Sequence, residues 1–288
     1  MKFTSVVKGL YNLGFENLYL SVKYSFVKRG IESATGPHRF FVSDAEKEAV
    51  GALKEVENIA SGSGSGALLK FENAELEVVF LAADLARLTW RPGLEPLPYA
   101  IEKSDWPGCA PEIRRSADGC IFNASAVTLL VDADVAVEMR SADGKSLTRF
   151  TAPEKQGDMW RVKAALREEE HIFGMGQRNR GFNLRGGSYL TWNSEAMGQY
   201  DEDKDPIYLS VPAFFGLHGD GSYMAFFENS FPARFTFKDE TDIVFHNGAL
   251  RTYLIPGPLE RCLDRFTELT GRPNLPPRWA LEIGRAHV

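Results

Sequence analysis

Cysteine is scarce: Cys109, Cys120 and Cys262 are too few and too scattered for a disulfide framework or a zinc site. Their odd number suits a reducing compartment, and a cytoplasmic location is expected. Positive charge is also short, with 33 Lys and Arg against 39 Asp and Glu and a net charge of −6. A surface that tracks phosphates needs the opposite balance, which argues against a nucleic-acid partner. No run approaches the ~18–20 apolar residues of a membrane span. Lys2 and Lys8 lead into no unbroken apolar stretch and no small-residue cleavage site, so no secretory signal is expected. The five histidines, His38, His171, His218, His246 and His287, lack metal-ligand spacing. No Ser/His/Asp arrangement is discernible either, and neither metal nor cofactor is expected.

What is present is an ordinary globular composition, 44% hydrophobic and 25% charged, over 288 residues. That length suits one large domain or two ordinary ones. Residues 1–45 read as an N-terminal extension. Within it "VVKGLYNLGFENLYLSVKYSFVKRG" mixes aromatics with Lys23, Lys28 and Arg29. Its apolar positions make no clean single face, which favours an extension packed on the main body over a helix lying on a membrane. Ser43-Asp44-Ala45-Glu46 has capping-box spacing, and Val50, Leu53, Val56 and Ile59 follow at intervals of three, predicting a helix. "SGSGSG" at Ser61–Gly66 reads as a flexible loop.

Then the period changes to two. Leu76, Val78 and Phe80 alternate with Glu77 and Val79. Asp143-Gly144 is a strong hairpin dipeptide, and Asn247-Gly248 joins two more β-rich runs. Many short strands between turn residues predict an antiparallel β-sandwich over 46–256. Residues 257–281 change regime again. Pro258 and Gly271 bracket "LERCLDRFTELT", whose Leu259, Cys262, Leu263, Phe266 and Leu269 mark one helical face. Trp279-Ala280-Leu281 has the look of an opening strand.

Several tempting motifs fail on spacing. Gly174-Met175-Gly176 begins a dinucleotide fingerprint, but Asn179 stands where the third glycine belongs. "DEDKD" at Asp201–Asp205 begins a calcium loop, yet Pro206 and Pro212 occupy its glycine and glutamate positions, leaving a solvated acidic loop. Asn123-Ala124-Ser125 is a sequon without secretion.

Four stretches, in order, carry a resemblance to glycoside hydrolase family 31, the α-glucosidase and α-xylosidase group. "HIFGMGQRN" (His171–Asn179) is similar to the family's aromatic-Gly-x-Gly-Glu/Gln segment. "FNLRGGSYLTWNSEA" (Phe182–Ala196) resembles its loop ending Trp-Asn-Thr-Asp, and "DPIYLSVPAFF" (Asp205–Phe215) its Asp-Pro-x-Tyr-x-Ser-x-Pro-Phe-Phe run. "GPLERCLDRFTELTGRPNLPPRWAL" (Gly257–Leu281) resembles the lead into its catalytic barrel. By that comparison Val50–Ile59 is an early strand, against the capping box.

The resemblance implies a galactose-mutarotase-like β-sandwich followed by a (β/α)₈ barrel, and retaining hydrolysis of a terminal α-linked sugar. The expected partners are an α-linked oligosaccharide or α-glycoside and the chain's own missing barrel. Such a barrel takes roughly 200–400 residues, so both catalytic aspartates are expected outside this chain and no catalytic residue is assigned within it. Glu282–Val288 is expected to be a non-native tail, because the frame of a common sequencing adapter spells Glu-Ile-Gly-Arg-Ala-His-Val.

Also by the resemblance, Glu195 stands where the family's aspartate accepts bonds from sugar hydroxyls, preceded by Trp192 and Asn193. Its longer arm shifts the carboxylate by about one C–C bond, ~1.5 Å. Trp192 either stacks on a sugar or packs in the core. Arg185 either binds substrate or, the favoured role, pairs structurally with a carboxylate. Tyr208, Phe214 and Phe215 read as core. The alternatives are a free-standing carbohydrate-binding or mutarotase-like sandwich, which would need its own His–Glu pair, and a structural sandwich with no ligand. Against the last stands the helix at 258–270, whose apolar face is expected to pack on something beyond it.

Overall fold

The computed structural model describes residues 14–61, 64–97, 100–116, 119–195 and 205–281. The N-terminal thirteen residues, Asp201–Lys204 and the expected tail with His287 lie outside them. By contact the chain divides into two units, Met1–Ser43 and Asp44–Val288. In the first, helix α1 (Phe15–Thr35) precedes a 3₁₀ turn, Pro37–Phe41. Phe15, Tyr19, Tyr24 and Phe26 are exposed along α1. No helix among the described residues is long and apolar enough to cross a membrane.

The second unit is an antiparallel β-sandwich. Its first strands are β1 (Lys47–Ala49), β2 (Leu53–Ser61), β3 (Gly64–Phe71), β4 (Glu75–Ala82), β5 (Leu85–Arg91) and β6 (Glu112–Ser116). There follow β7 (Gly119–Asn123), β8 (Val127–Val131), β9 (Val137–Ser141), β10 (Ser146–Phe150), β11 (Glu154–Gln156) and β12 (Met159–Ala165). The rest are β13 (His171–Gly176), β14 (Ser188–Leu190), β15 (Ser210–His218), β16 (Gly221–Phe227), β17 (Ala233–Phe237), β18 (Glu240–Phe245) and β19 (Leu250–Pro256), before helix α2 (Leu259–Thr270). Among the described residues one sheet runs β14-β17-β18-β12-β10-β9-β8-β7-β6, with β11 beside β12 and β1 beside β11. The other runs β13-β15-β16-β19-β5-β4-β3-β2.

The alternation read from the sequence sorts side chains between faces. Leu76, Val78 and Phe80 are fully buried between the sheets with Phe122, Phe214, Phe227, Phe235, Phe237 and Phe245. Val79 and Leu81 point the other way, into a second apolar cluster. Asp143-Gly144 turns β9 into β10 as expected, with Gly144 at φ 84°. Asn247-Gly248 does something different: β18 belongs to the first sheet and β19 to the second, so this turn crosses between layers.

Three local readings are overturned. Residues 47–49 and 53–61 are strands, as the family resemblance implied, and not the helix that the capping box predicted. Leu53 and Val56 pack on the inner core and Ile59 on the outer cluster, so the spacing of three crosses from one face of a strand to the other. A register shift between Leu53 and Glu55 disguises the period of two. Gly64-Ser65-Gly66 opens β3 instead of forming a loop. A Cβ on Gly66 would come 1.8 Å from the carbonyl oxygen of Val78, so glycine here answers a close strand approach. At the other end Arg278–Leu281 is a 3₁₀ turn with Trp279 exposed, not a strand.

Helix α2 forms as predicted, with Pro258 at its N-cap and Gly271 at φ 92° closing it. Most of its apolar face packs on the sandwich, and Leu263 of that face is exposed. Cys262 and Leu269 are buried against Val79, Leu85, Trp106, Met224 and Ile255, and Phe266 meets Phe226 edge-on at 5.2 Å. The sandwich itself covers that part of the face. Asp84, in the β4–β5 turn, pins the helix by accepting from Arg261 Nε (2.7 Å) and Arg265 Nε (2.8 Å).

Candidate functional site

The segment Arg185–Glu195 leaves β14, an edge of one sheet, and the chain returns through Asp205–Leu209 into β15, beside the edge strand β13 of the other. This loop therefore bridges the two layers at one open side of the sandwich. Its two limbs are zipped together. Ser194 N donates to Ile207 O at 3.0 Å and Ser210 N to Asn193 Oδ1 at 2.7 Å. Tyr208, expected in the core, is exposed and donates its hydroxyl to Glu195 Oε1 at 2.7 Å.

Gly174-Met175-Gly176 kinks the end of β13, with φ of 113°, 65° and 81° in succession, where its register with β15 shifts and the extra residues fall on β15. A Cβ on Gly174 would meet Ala213 O at 2.8 Å and one on Gly176 would meet Leu209 O at 2.5 Å. The failed dinucleotide fingerprint is thus a backbone device. It buries Met175 and turns the chain so that Gln177 N reaches Leu209 O at 2.8 Å.

Arg178 follows at once. Its Nε donates to Met175 O (3.0 Å), and its Nη1 to Leu190 O (2.8 Å) and to Asp205 Oδ1 (2.8 Å). The two side chains are only 3% and 7% exposed. The expected solvated acidic loop therefore ends in a buried carboxylate. Nearby, burial pushes the Tyr189 phenol up, which keeps it a neutral donor to Leu184 O at 3.0 Å.

Of the four residues singled out from the sequence, the structure brings three onto this loop. Trp192 is 38% exposed, so of its two readings the buried core position is not the one taken. Trp192 and Asn193 line a cavity of about 220 Å³ with Thr191, Ser210, Asn229 and Phe231. The Oγ of Ser210 is buried there without a partner. Asn193 has a structural duty as well, its Oδ1 being the acceptor that ties the limbs. Arg185 stands apart, its Nη1 donating to the carbonyls of Arg167 and Glu170. Its structural partners are backbone oxygens, not the expected carboxylate. Tyr208 and Arg178 were missed, although both lie inside quoted motifs; their partners are distant in sequence, and no local pattern announces them.

The remaining polar cluster does not supply a free acid/base pair. His218 is buried, its Nδ1 accepting from Arg167 Nη1 (2.9 Å) and Asp220 N (3.2 Å) and its Nε2 facing Leu147 O (2.9 Å). Glu170 accepts from Arg167 N and from Tyr223 Oη at 2.9 Å. Both rings and carboxylate are committed to the fold.

Fold and sequence together define the class. Residues 75–235, over half of the chain, match the family described as "Glycosyl hydrolase 31 N-terminal galactose mutarotase-like domain", and the chain belongs to that family. Among curated proteins it is 32% identical over 144 residues to "Alpha-glucosidase 2" of Bacillus thermoamyloliquefaciens, covering 49% of this chain and 18% of that protein. It is likewise 32% identical over 151 residues to an α-glucosidase of Saccharolobus solfataricus, covering 50% and 22%. The chain thus spans roughly a fifth of these relatives' length. In fold it is similar to a Flavobacterium johnsoniae GH31 dextranase complexed with isomaltotriose, with TM-score 0.71 and 20% identity over 81% of this chain and 30% of that one. A Listeria monocytogenes cycloalternan-forming enzyme in complex with a pentasaccharide substrate gives TM-score 0.64 and 19% identity over 82% and 24%.

Proposed function

We propose that this chain is the N-terminal part of a retaining α-glycosidase acting on terminal α-linked sugars, and that it contributes a substrate-pocket loop rather than the reacting carboxylates. The match of residues 75–235 to the N-terminal domain of the family carries this reading. Retaining hydrolysis needs two carboxyl groups about 5–5.5 Å apart across the scissile bond. In this reading that pair belongs to a barrel outside the chain, and Glu195 accepts bonds from hydroxyls of the sugar while Trp192 offers it a ring face. Exposure of Leu263, Leu275 and Trp279, on and beyond α2, supports a further domain there. The purified chain is expected to give no turnover of 4-nitrophenyl α-glucoside. Measurable hydrolysis that tracks the protein through purification would overturn the proposal.

A second reading, a free-standing sugar-binding sandwich, is favoured by the cavity that Trp192 and Asn193 line. Titration of the chain with isomaltotriose separates the two. A dissociation constant near ~10 μM, about 7 kcal/mol of binding, would favour the second reading over a loop that completes its site only with a barrel.

A further inference from the structure

Arg178 makes an unusual set of bonds for one side chain. Its donors reach the kink in β13 (Met175 O), the last residue of β14 (Leu190 O) and the start of the returning limb (Asp205). Its guanidinium also lies 5.8 Å from the centre of the Tyr189 ring, on β14. The outgoing limb, at Leu190, and the returning limb, at Asp205, therefore meet at a single residue beside Trp192, Asn193 and Glu195.

Stability alone is a poor account of this arrangement. Taking a guanidinium and a carboxylate out of water is expensive, and well-packed apolar pairs often replace buried ion pairs without loss. Here the cost is not fully offset, because Nη2 of Arg178 is buried with no hydrogen-bond partner. What an apolar pair could not supply is direction: a planar fork fixes two carbonyls and a carboxylate at set angles to one another. Lysine, a single point charge, could not do so.

We propose that Arg178 is the positioning residue of the sugar-facing loop, setting the separation of its two limbs and through it the placement of Glu195 and Trp192. The importance of that placement rests on the proposed function above; the clamp itself does not. Arg178 ties Leu190 to Asp205, and Tyr208 on Glu195 and Ser210 on Asn193 hold the rest of the two limbs together.

The test is hydrogen exchange of the whole chain, read at two amides that exist only as bonds between the limbs, Ser194 N and Ser210 N. The controls are amides of the β15–β16 ladder. In Arg178→Lys both limb amides should exchange at least ~10-fold faster while the ladder stays at wild-type rates, the signature of local and not global opening. Should that variant fold poorly, Arg178→Met/Asp205→Leu removes both buried charges. It is expected to restore the ladder's protection while the limb amides remain fast, because Met175 O and Leu190 O still lack their donor. Limb amides as slow as wild type in either folded variant would overturn the proposal. So would exchange of limb and ladder amides in step, which would make Arg178 a part of the fold only. The proposed function fails separately: turnover of 4-nitrophenyl α-glucoside by the wild-type chain would overturn it and leave the clamp standing.

Discussion

Glycine is the residue whose meaning changes most between sequence and structure here. At Gly66 the missing side chain serves contact, since the Val78 carbonyl occupies the space a Cβ would need. Gly66→Ala is expected to cost about 1–3 kcal/mol, the usual range for forcing extra volume into a packed site. Urea unfolding would read it as a lower midpoint at unchanged slope; an unaltered midpoint would refute the close approach. Gly174 and Gly176 serve backbone angles instead, and the motif they form was visible as a motif without its purpose being visible. Tyr208 shows the opposite failure. An aromatic in a run ending Val-Pro-Ala-Phe-Phe has every local reason to be core, and only the fold, by laying one limb against another, turns its hydroxyl towards Glu195.

Elements were legible where one period governed them without interruption. Strand β4, the β9–β10 hairpin and helix α2 each satisfy a single pattern, with turn or cap residues at both ends. Strand β2 was hidden from the local pattern, because a register shift near its start mimics helical spacing, and only the family resemblance pointed to a strand there. The β18–β19 turn was read as a second hairpin like Asp143-Gly144, for a turn with a positive-φ glycine reverses the chain equally well within a sheet and between sheets. Helix α2 also shows how an element can be right and its use wrong: its apolar stripe is covered by the outer face of the eight-stranded sheet, and Leu263 alone of its large apolar residues is exposed. Asp84 is the test of that docking. Asp84→Asn removes the charge that Arg261 and Arg265 share and should cost about 1–3 kcal/mol, as hydrogen bonds to charged groups do. A thermal melt unchanged within error would show that the helix is held by its apolar face alone.

The whole molecule has a pH dependence written into its core. Burial pushes the Cys262 thiol up to about 12. Burial and then Glu170 hold the Tyr223 phenol well above its ordinary range, and burial and then Glu228 do the same for Tyr253. In each case the folded state keeps a proton that the unfolded chain gives up, at an ordinary value of 9.0 for the thiol and 10.0 for the phenols. The stabilisation is thus complete below about pH 9 and lost as pH rises through the folded values, at up to ~1.4 kcal/mol per pH unit for each group. Urea unfolding from pH 8 to 11 should show a falling midpoint, shallower in Tyr223→Phe. A midpoint that holds level to pH 11 would contradict the buried, neutral phenols.

The docking of α2 also decides where this molecule can be divided. Were the chain cut before Leu259, Val79, Met224, Phe226 and Ile255 would lose the cover that Cys262, Phe266 and Leu269 give them. Cut after Gly271, every one of those surfaces keeps its lid. The sandwich and its helix therefore make one divisible unit, Asp44–Gly271: a piece that could be cut out and grafted elsewhere without laying bare an unfinished core.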